Sequence, residues 1–114
     1  MNKKILIIDD SALMRRVISD IINADDRLTV ADTASNGLQA IQLLSEEKTY
    51  DMILCDIMMP KMDGVAFLKE LSKRDIHVPV LIVSSIAEKE GKETMEALEL
   101  GAFDFVRKAD RSVG

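Results

Sequence analysis

The chain is short of several residue types, and each shortage removes a class of function. A single cysteine, Cys55, in 114 residues cannot close an internal disulfide. Lysine and arginine number 15 against 20 aspartates and glutamates, a formal net charge of -5. A surface with that balance is not built to neutralise phosphates, so no direct nucleic-acid contact is expected. The longest apolar runs, "ILII" and "VPVLIV", fall far short of the ~20 residues that span a bilayer, so no membrane association is expected either. No long apolar segment follows the basic start, and with one unpaired cysteine the expected compartment is the cytoplasm. Repeats and low-complexity tracts are missing as well. What remains are protein partners and small ions.

What is present is a core. With 47% apolar residues the chain suits one globular domain. "ILIID" (Ile5 to Asp9) and "MILCD" (Met52 to Asp56) are continuous apolar runs, "LTVADTA" (Leu28 to Ala34) partly alternates, "VPVLIVS" (Val78 to Ser84) is nearly all apolar, and "FDFVR" (Phe103 to Arg107) alternates. These predict five strands. Leu13, Met14, Val17, Ile18, Ile21 and Ile22 fall on one face of a helix that Ser11 would cap. Further helices are expected from about Gly37 to Glu47 (Leu38, Ile41 and Leu44 inward), Gly64 to Lys73 (Val65, Leu68 and Leu71 inward) and Glu88 to Leu100 (Met95 and Leu98 inward), with Gly101 as the stop. Strands apolar on both faces and separated by single helices require crossovers, hence parallel pairing. The fold class is α/β, doubly wound around a five-stranded parallel sheet.

In such sheets the ligand site lies at the carboxyl ends of the strands. There the sequence places Asp9 and Asp10 after the first strand, Asp56 after the third, Ser84 and Ser85 after the fourth and Lys108 after the fifth. Crowded carboxylates repel, and the usual remedies are protonation of one of them or a bound cation. Hard oxygen donors with open positions suit Mg2+, which keeps several waters and takes one or two carboxylates plus a phosphate oxygen. Each piece also has a plain reading. "IIDDS" suits a helix cap, Ser84 and Ser85 suit caps of the fourth helix, Lys108 suits a solvated surface, and the seven methionines with Cys55 suit core filling. The lone His77 precedes the fourth strand, about seven residues or roughly 20 Å from the acidic edge, and is not expected to act there.

Taken together, "DD" after the first strand, "CDIMMPKMDG" (Cys55 to Gly64), "VSS" (Val83 to Ser85) and "VRK" ending at Lys108 resemble the receiver domain of bacterial two-component response regulators. The resemblance covers the chain up to Lys108 and implies the flavodoxin/CheY-like strand order 2-1-3-4-5. It implies that Asp56 accepts a phosphoryl group from a sensor histidine kinase. Asp9, Asp10, Asp56 and the Met58 backbone carbonyl then hold Mg2+, Ser84 bonds a phosphoryl oxygen, and Lys108 pairs with it. Phe105, three residues before that lysine, matches the family's aromatic switch.

"DDSALMRRVISDII" and "ALELGAFDFVRK" with the double serine are similar, more narrowly, to the receivers of chemotaxis protein-glutamate methylesterases. That likeness implies a CheA-like histidine kinase as partner and an esterase domain further along a longer chain. No G-x-S-x-G nucleophile elbow is present, so this polypeptide is not expected to be an esterase. Two features depart from the family. Ala109 follows Lys108 where receivers usually have proline, and "ADRSVG" is too short and polar for a fifth helix. Residues 1–108 are therefore expected to form the receiver and 109–114 the start of a linker or of a truncated fifth helix, with one face of the sheet half covered and a homodimer of the shortened chain as one outcome. The alternatives are a stand-alone CheY-like regulator and, more remotely, a Mg2+-dependent phosphotransfer enzyme. A haloacid-dehalogenase site would need D-x-D, and Met58 stands at its third position. A flavodoxin-like cofactor binder would need a glycine-rich loop after the first strand.

Overall fold

The computed structural model describes residues 2–46, 48–59, 61–84 and 88–107. Strands and helices alternate along the chain: β1 (Lys3–Ile8), α1 (Ala12–Asn23), β2 (Leu28–Ala34), α2 (Gly37–Ser45), β3 (Met52–Asp56), α3 (Gly64–Lys73), β4 (Val80–Ser84), α4 (Glu88–Glu99) and β5 (Asp104–Arg107). The strands pair in parallel in the order β2-β1-β3-β4-β5, as expected. The order doubles back at β1, so the carboxyl ends of β1 and β3 meet beside the switch point where ligands bind in this architecture.

Local chemistry sets the element ends. The side chains of Ser11, Asn36 and Asp63 accept from the amides of Met14, Gln39 and Ala66, capping α1, α2 and α3. Beyond α4, the amides of Gly101 and Ala102 donate to the carbonyls of Leu98 and Ala97 while Gly101 takes φ +108°, a turn that a Cβ would strain. β4 begins two residues later than the apolar run suggests. Pro79 has no N–H for a ladder, although its carbonyl still accepts from Ile53.

The two faces of the sheet are covered unequally. On one, Leu6, Ile8, Ile53, Cys55, Val80 and Ile82 form a continuous core with Ala40 and Ile41 of α2, Phe67, Leu68 and Leu71 of α3, and Ala97 of α4. On the other, Ile5, Ile7 and Leu54 are buried against Ile18 and Ile22 of α1, and Val83 is buried beside the half-buried Leu81. No residue of α1 itself is buried, and Leu13 and Ile21 are 65% and 66% exposed. Every residue of β5 is exposed. Among the described residues this face carries a groove of about 750 Å3 lined by Met14, Val17, Ile21, Leu81, Val83 and Val106 among others.

Two expected core positions are corrected. Leu38 and Met95 were expected inward and are 50% and 59% exposed. In α2 the buried stripe runs through Gly37, Ala40 and Ile41 with Leu44 packed beside it, and in α4 through Thr94 and Ala97 with Leu98. Leu38 and Met95 each follow a member of that stripe by one residue, which turns them about 100° away from the sheet. Among the described residues, no helix is long and apolar enough to cross a membrane.

Candidate functional site

β1 ends at Ile8, and the chain then turns into α1 through Asp9, Asp10 and Ser11. Asp9 is 1% exposed. One of its carboxylate oxygens, Oδ1, accepts from the Ser11 amide at 2.9 Å, and its backbone carbonyl accepts from Arg15 Nη1 at 2.7 Å. The turn into α1 thus presents the Ser11 amide to this carboxylate at the amino end of the helix, the favourable pole for negative charge. Asp10 is exposed. β3 delivers Asp56, 2% exposed, one strand away. Ligand oxygens of Asp9, Asp10 and Asp56 all lie within 4.8 Å of one another.

Three carboxylates at that spacing repel. Two like charges 4 Å apart cost between about 1 kcal/mol in water and about 4 kcal/mol at the effective dielectric of a protein surface. A divalent cation offsets that repulsion, and the donors offered are hard oxygens only, the set that fits Mg2+ and does not select softer metals. The site residues fit the ion that the sequence suggested.

The loop after β3 is held at several points. Ile57 N donates to the Val83 carbonyl at 3.1 Å, and the Ile57 carbonyl accepts from Gly64 N at 2.9 Å, closing the loop at the start of α3. The Met58 amide points at Asp56 Oδ1 from 3.4 Å. Ile57 and Met59 are buried, and Met58 between them is half-buried and packed against the same core. Ser84 ends β4 and is buried, one residue beyond the Asp56–Val83 register pair. Phe105 lies on β5 in register with Ile82 and is 44% exposed. Ser85 and Lys108 lie outside the described residues. His77 is exposed and bonded to Asp75 Oδ1 at 2.7 Å, and it precedes the amino end of β4, the end opposite Ser84.

Sequence reasoning passed over Arg15. The signal was its place on the first turn of α1, because helical side chains lean toward the amino end and a long one there reaches back to the preceding strand terminus.

The field of the site reaches its neighbours. Burial, then the negative charges of Asp56, Asp9 and Asp63, push the Cys55 thiol far up. Tyr50, whose hydroxyl donates to Asp32 Oδ2 at 2.6 Å, is also pushed up, by burial first and by that bond second. For both groups the folded pKa exceeds the unfolded one. Their stabilising contribution is full below the unfolded value and is lost as pH rises past it, which for a free thiol begins at about pH 8.5. Stability, and with it the melting temperature, should therefore fall from about pH 8.5 for the thiol and about pH 10 for the phenol, by up to about 1.4 kcal/mol per pH unit for each group. Cys55→Ala, referred to its own melting point at neutral pH, should show a shallower fall. An equal alkaline slope in both proteins would remove the thiol from this account.

The response regulator receiver domain model matches residues 5–112, and the chain belongs to that family, the phosphorylation-dependent switches of two-component signalling. Within it, the chain is 50% identical over 109 residues to the protein-glutamate methylesterase/protein-glutamine glutaminase of Treponema denticola, covering 96% of this chain and 29% of that relative. It therefore spans less than a third of the relative's length, the receiver part alone. Among solved structures, the response regulator domain of Thermotoga maritima CheB is 38% identical with a TM-score of 0.85, covering 100% of this chain and 84% of that one. A structure of the P1 domain of CheA3 in complex with CheY6 from R. sphaeroides is similar at 34% identity and a TM-score of 0.78, covering 97% of this chain and 85% of that one.

Proposed function

We propose that Asp56 is the phosphoacceptor of this receiver, loaded from a phosphohistidine on a CheA-like kinase. The observation that carries this is the convergence of Asp9, Asp10 and Asp56 within 4.8 Å at the switch point of the sheet. A carboxylate is a poor nucleophile toward an anionic phosphoryl group, so most of the catalysis must come from positioning and charge neutralisation. Asp56 is pre-positioned by its buried strand, and an oxygen of its carboxylate forms the bond to phosphorus as the bond to the donor imidazole breaks. Mg2+, when bound by Asp9, Asp10, Asp56 and the Met58 carbonyl, supplies positive charge to the phosphoryl oxygens. Ser84, beside Asp56 on the neighbouring strand, donates a hydrogen bond to one of those oxygens, and Lys108 pairs with another. The resulting acyl phosphate is open to water, so the mark decays and the chain acts as a timed switch whose only catalysis is its own loading and unloading.

In this reading residues 1–108 are the receiver and 109–114 are the start of a linker or of a truncated fifth helix. Likeness to the methylesterase receivers favours a regulatory role over a C-terminal effector domain in a chemotaxis pathway, in the cytoplasm, without direct contact to nucleic acid or membrane. The CheA3–CheY6 structure supports the choice of kinase. The test is uptake of phosphate from acetyl phosphate, followed by intact mass. One phosphoryl group should appear with Mg2+ and none with chelator. An adduct that persists at the same level in Asp56→Asn would overturn the assignment.

The switch follows from Ser84. Drawn toward a phosphoryl group on Asp56, it vacates space beside β5 that Phe105, now partly in solvent, can enter. The face formed by α4 and β5 would then change shape, and partners would read it. Ser84→Ala should bind Mg2+ nearly as wild type does while losing most of the phosphorylation-linked chemical-shift change around Phe105. Equal loss of both would make Ser84 a structural residue.

A further inference from the structure

The loop between β3 and α3 rests on a contact with α2 that neither the acidic cluster nor the aromatic switch uses. Gly37, the first residue of α2, is buried, and a Cβ built on it would stand 2.8 Å from Met62 Cγ, 2.9 Å from its Sδ and 3.0 Å from its Cβ. Real side chains do not approach that closely. Gly37 is not demanded by the backbone, because among the described glycines only Gly101 has positive φ. At a helix start whose backbone alanine could adopt, alanine ordinarily stabilises. A methyl at Gly37 would enter the space that Met62 now takes.

Met62 is delivered to that space by the loop. Lys61 sits in the left-handed region at φ 66°, which reverses the chain just before it. The loop is then closed behind it by the Gly64 to Ile57 bond, where a Cβ on Gly64 would stand 3.0 Å from the Asp56 carbonyl oxygen and from Ile57 Cα. The segment is thus closed at its base by the hydrogen bond between Gly64 and Ile57 and seated, two residues before Gly64, by a methionine in a glycine notch.

We infer that Met62, keyed into the notch at Gly37, is a positioning residue for the Met58-bearing loop. It fixes that loop relative to Asp56 and ties the site to α2. The role in metal and phosphoryl binding rests on the reading of Asp56 as phosphoacceptor. Groups that hold ligand-bearing segments from behind typically change metal affinity by ten- to a hundred-fold when altered.

The experiment is a double-mutant cycle on the whole chain. Gly37→Ala should weaken Mg2+ binding about tenfold, measured by amide chemical-shift titration, and should speed hydrogen exchange of the Gly64 amide in metal-free protein. Met62→Ala should weaken binding by a smaller factor. The double variant should bind no worse than Met62→Ala alone, since the new methyl then has room, and should regain Gly64 protection relative to Gly37→Ala. A merely structural contact would lower the melting temperature without moving Mg2+ affinity. Wild-type Mg2+ affinity in Gly37→Ala, or losses that multiply in the double variant, would overturn the inference. The two readings fail separately. Unchanged Gly64 exchange in Gly37→Ala refutes the keying even if Mg2+ loading is normal, whereas altered and rescued exchange in a protein that never responds to Mg2+ upholds the keying and refutes the metal site.

Discussion

A version of this chain carrying a further amphipathic helix after Gly114 is expected to melt at least about 10 °C above the 114-residue form, the shift that a few kcal/mol produces in a domain of this size. The reason is the groove beside α1. Its walls are the apolar side chains of Met14, Val17, Ile21, Leu81, Val83 and Val106, and water reaches Val17, Ile21 and Val106 most freely. Covering a helix-sized strip of apolar surface contributes several kcal/mol at about 25 cal/mol per Å2, a large share of the net stability of a small domain. The same surface gives the shorter form a reason to pair with a second copy. Light scattering on both forms should show any self-association of the short one abolished by the added helix. Equal melting temperatures with both forms monomeric would mean that the groove is not a stability defect.

The second large effect concerns charge at the strand ends. Asp10→Asn should raise the melting temperature of the metal-free protein, because it removes one member of a cluster whose oxygens lie within 4.8 Å. Since Asp10 is exposed, solvent screening keeps that gain toward the lower end of the 1 to 4 kcal/mol range, about 1 kcal/mol. The same substitution should abolish most of the stabilisation that Mg2+ confers, which in wild type is about 2.7 kcal/mol at a hundredfold excess over its dissociation constant. Opposite signs with and without metal are hard to obtain from a simple packing defect. A variant that keeps the full Mg2+ shift would remove Asp10 from the metal site.

Much of this was legible before any coordinates, and for identifiable reasons. The strands β3 and β4 announce themselves because they are buried on both faces and so carry no polar alternation to confuse with a helix. Asp56 follows from β3 because a charge that ends such a run must lie at the sheet edge. α3 follows from the Val65, Leu68, Leu71 spacing, and the structure adds Asp63 as its cap. Leu38 and Met95 misled because a helix one residue out of phase carries nearly the same count of apolar matches. The small residues of the true stripe, Gly37, Ala40, Thr94 and Ala97, carry little hydrophobic signal. The seat of Met62 on Gly37 joins residues of two different elements and has no signature in either. Arg15 on the Asp9 carbonyl was reachable in principle from helix geometry alone. The roles of Ser84, Phe105 and Lys108 came from resemblance and order along the chain, not from spacing, and Lys108 lies outside the described residues.

The most direct measurement of the central claim is reductive trapping of the phosphorylated chain. Borohydride converts an aspartyl phosphate to homoserine at the residue that carried it, and peptide mass mapping locates the change. After loading with acetyl phosphate and Mg2+, homoserine should appear at position 56 and nowhere else, and should be missing when Mg2+ is chelated before loading. Homoserine at Asp9 or Asp10, or a borohydride-resistant phosphate on Ser84, would contradict the account.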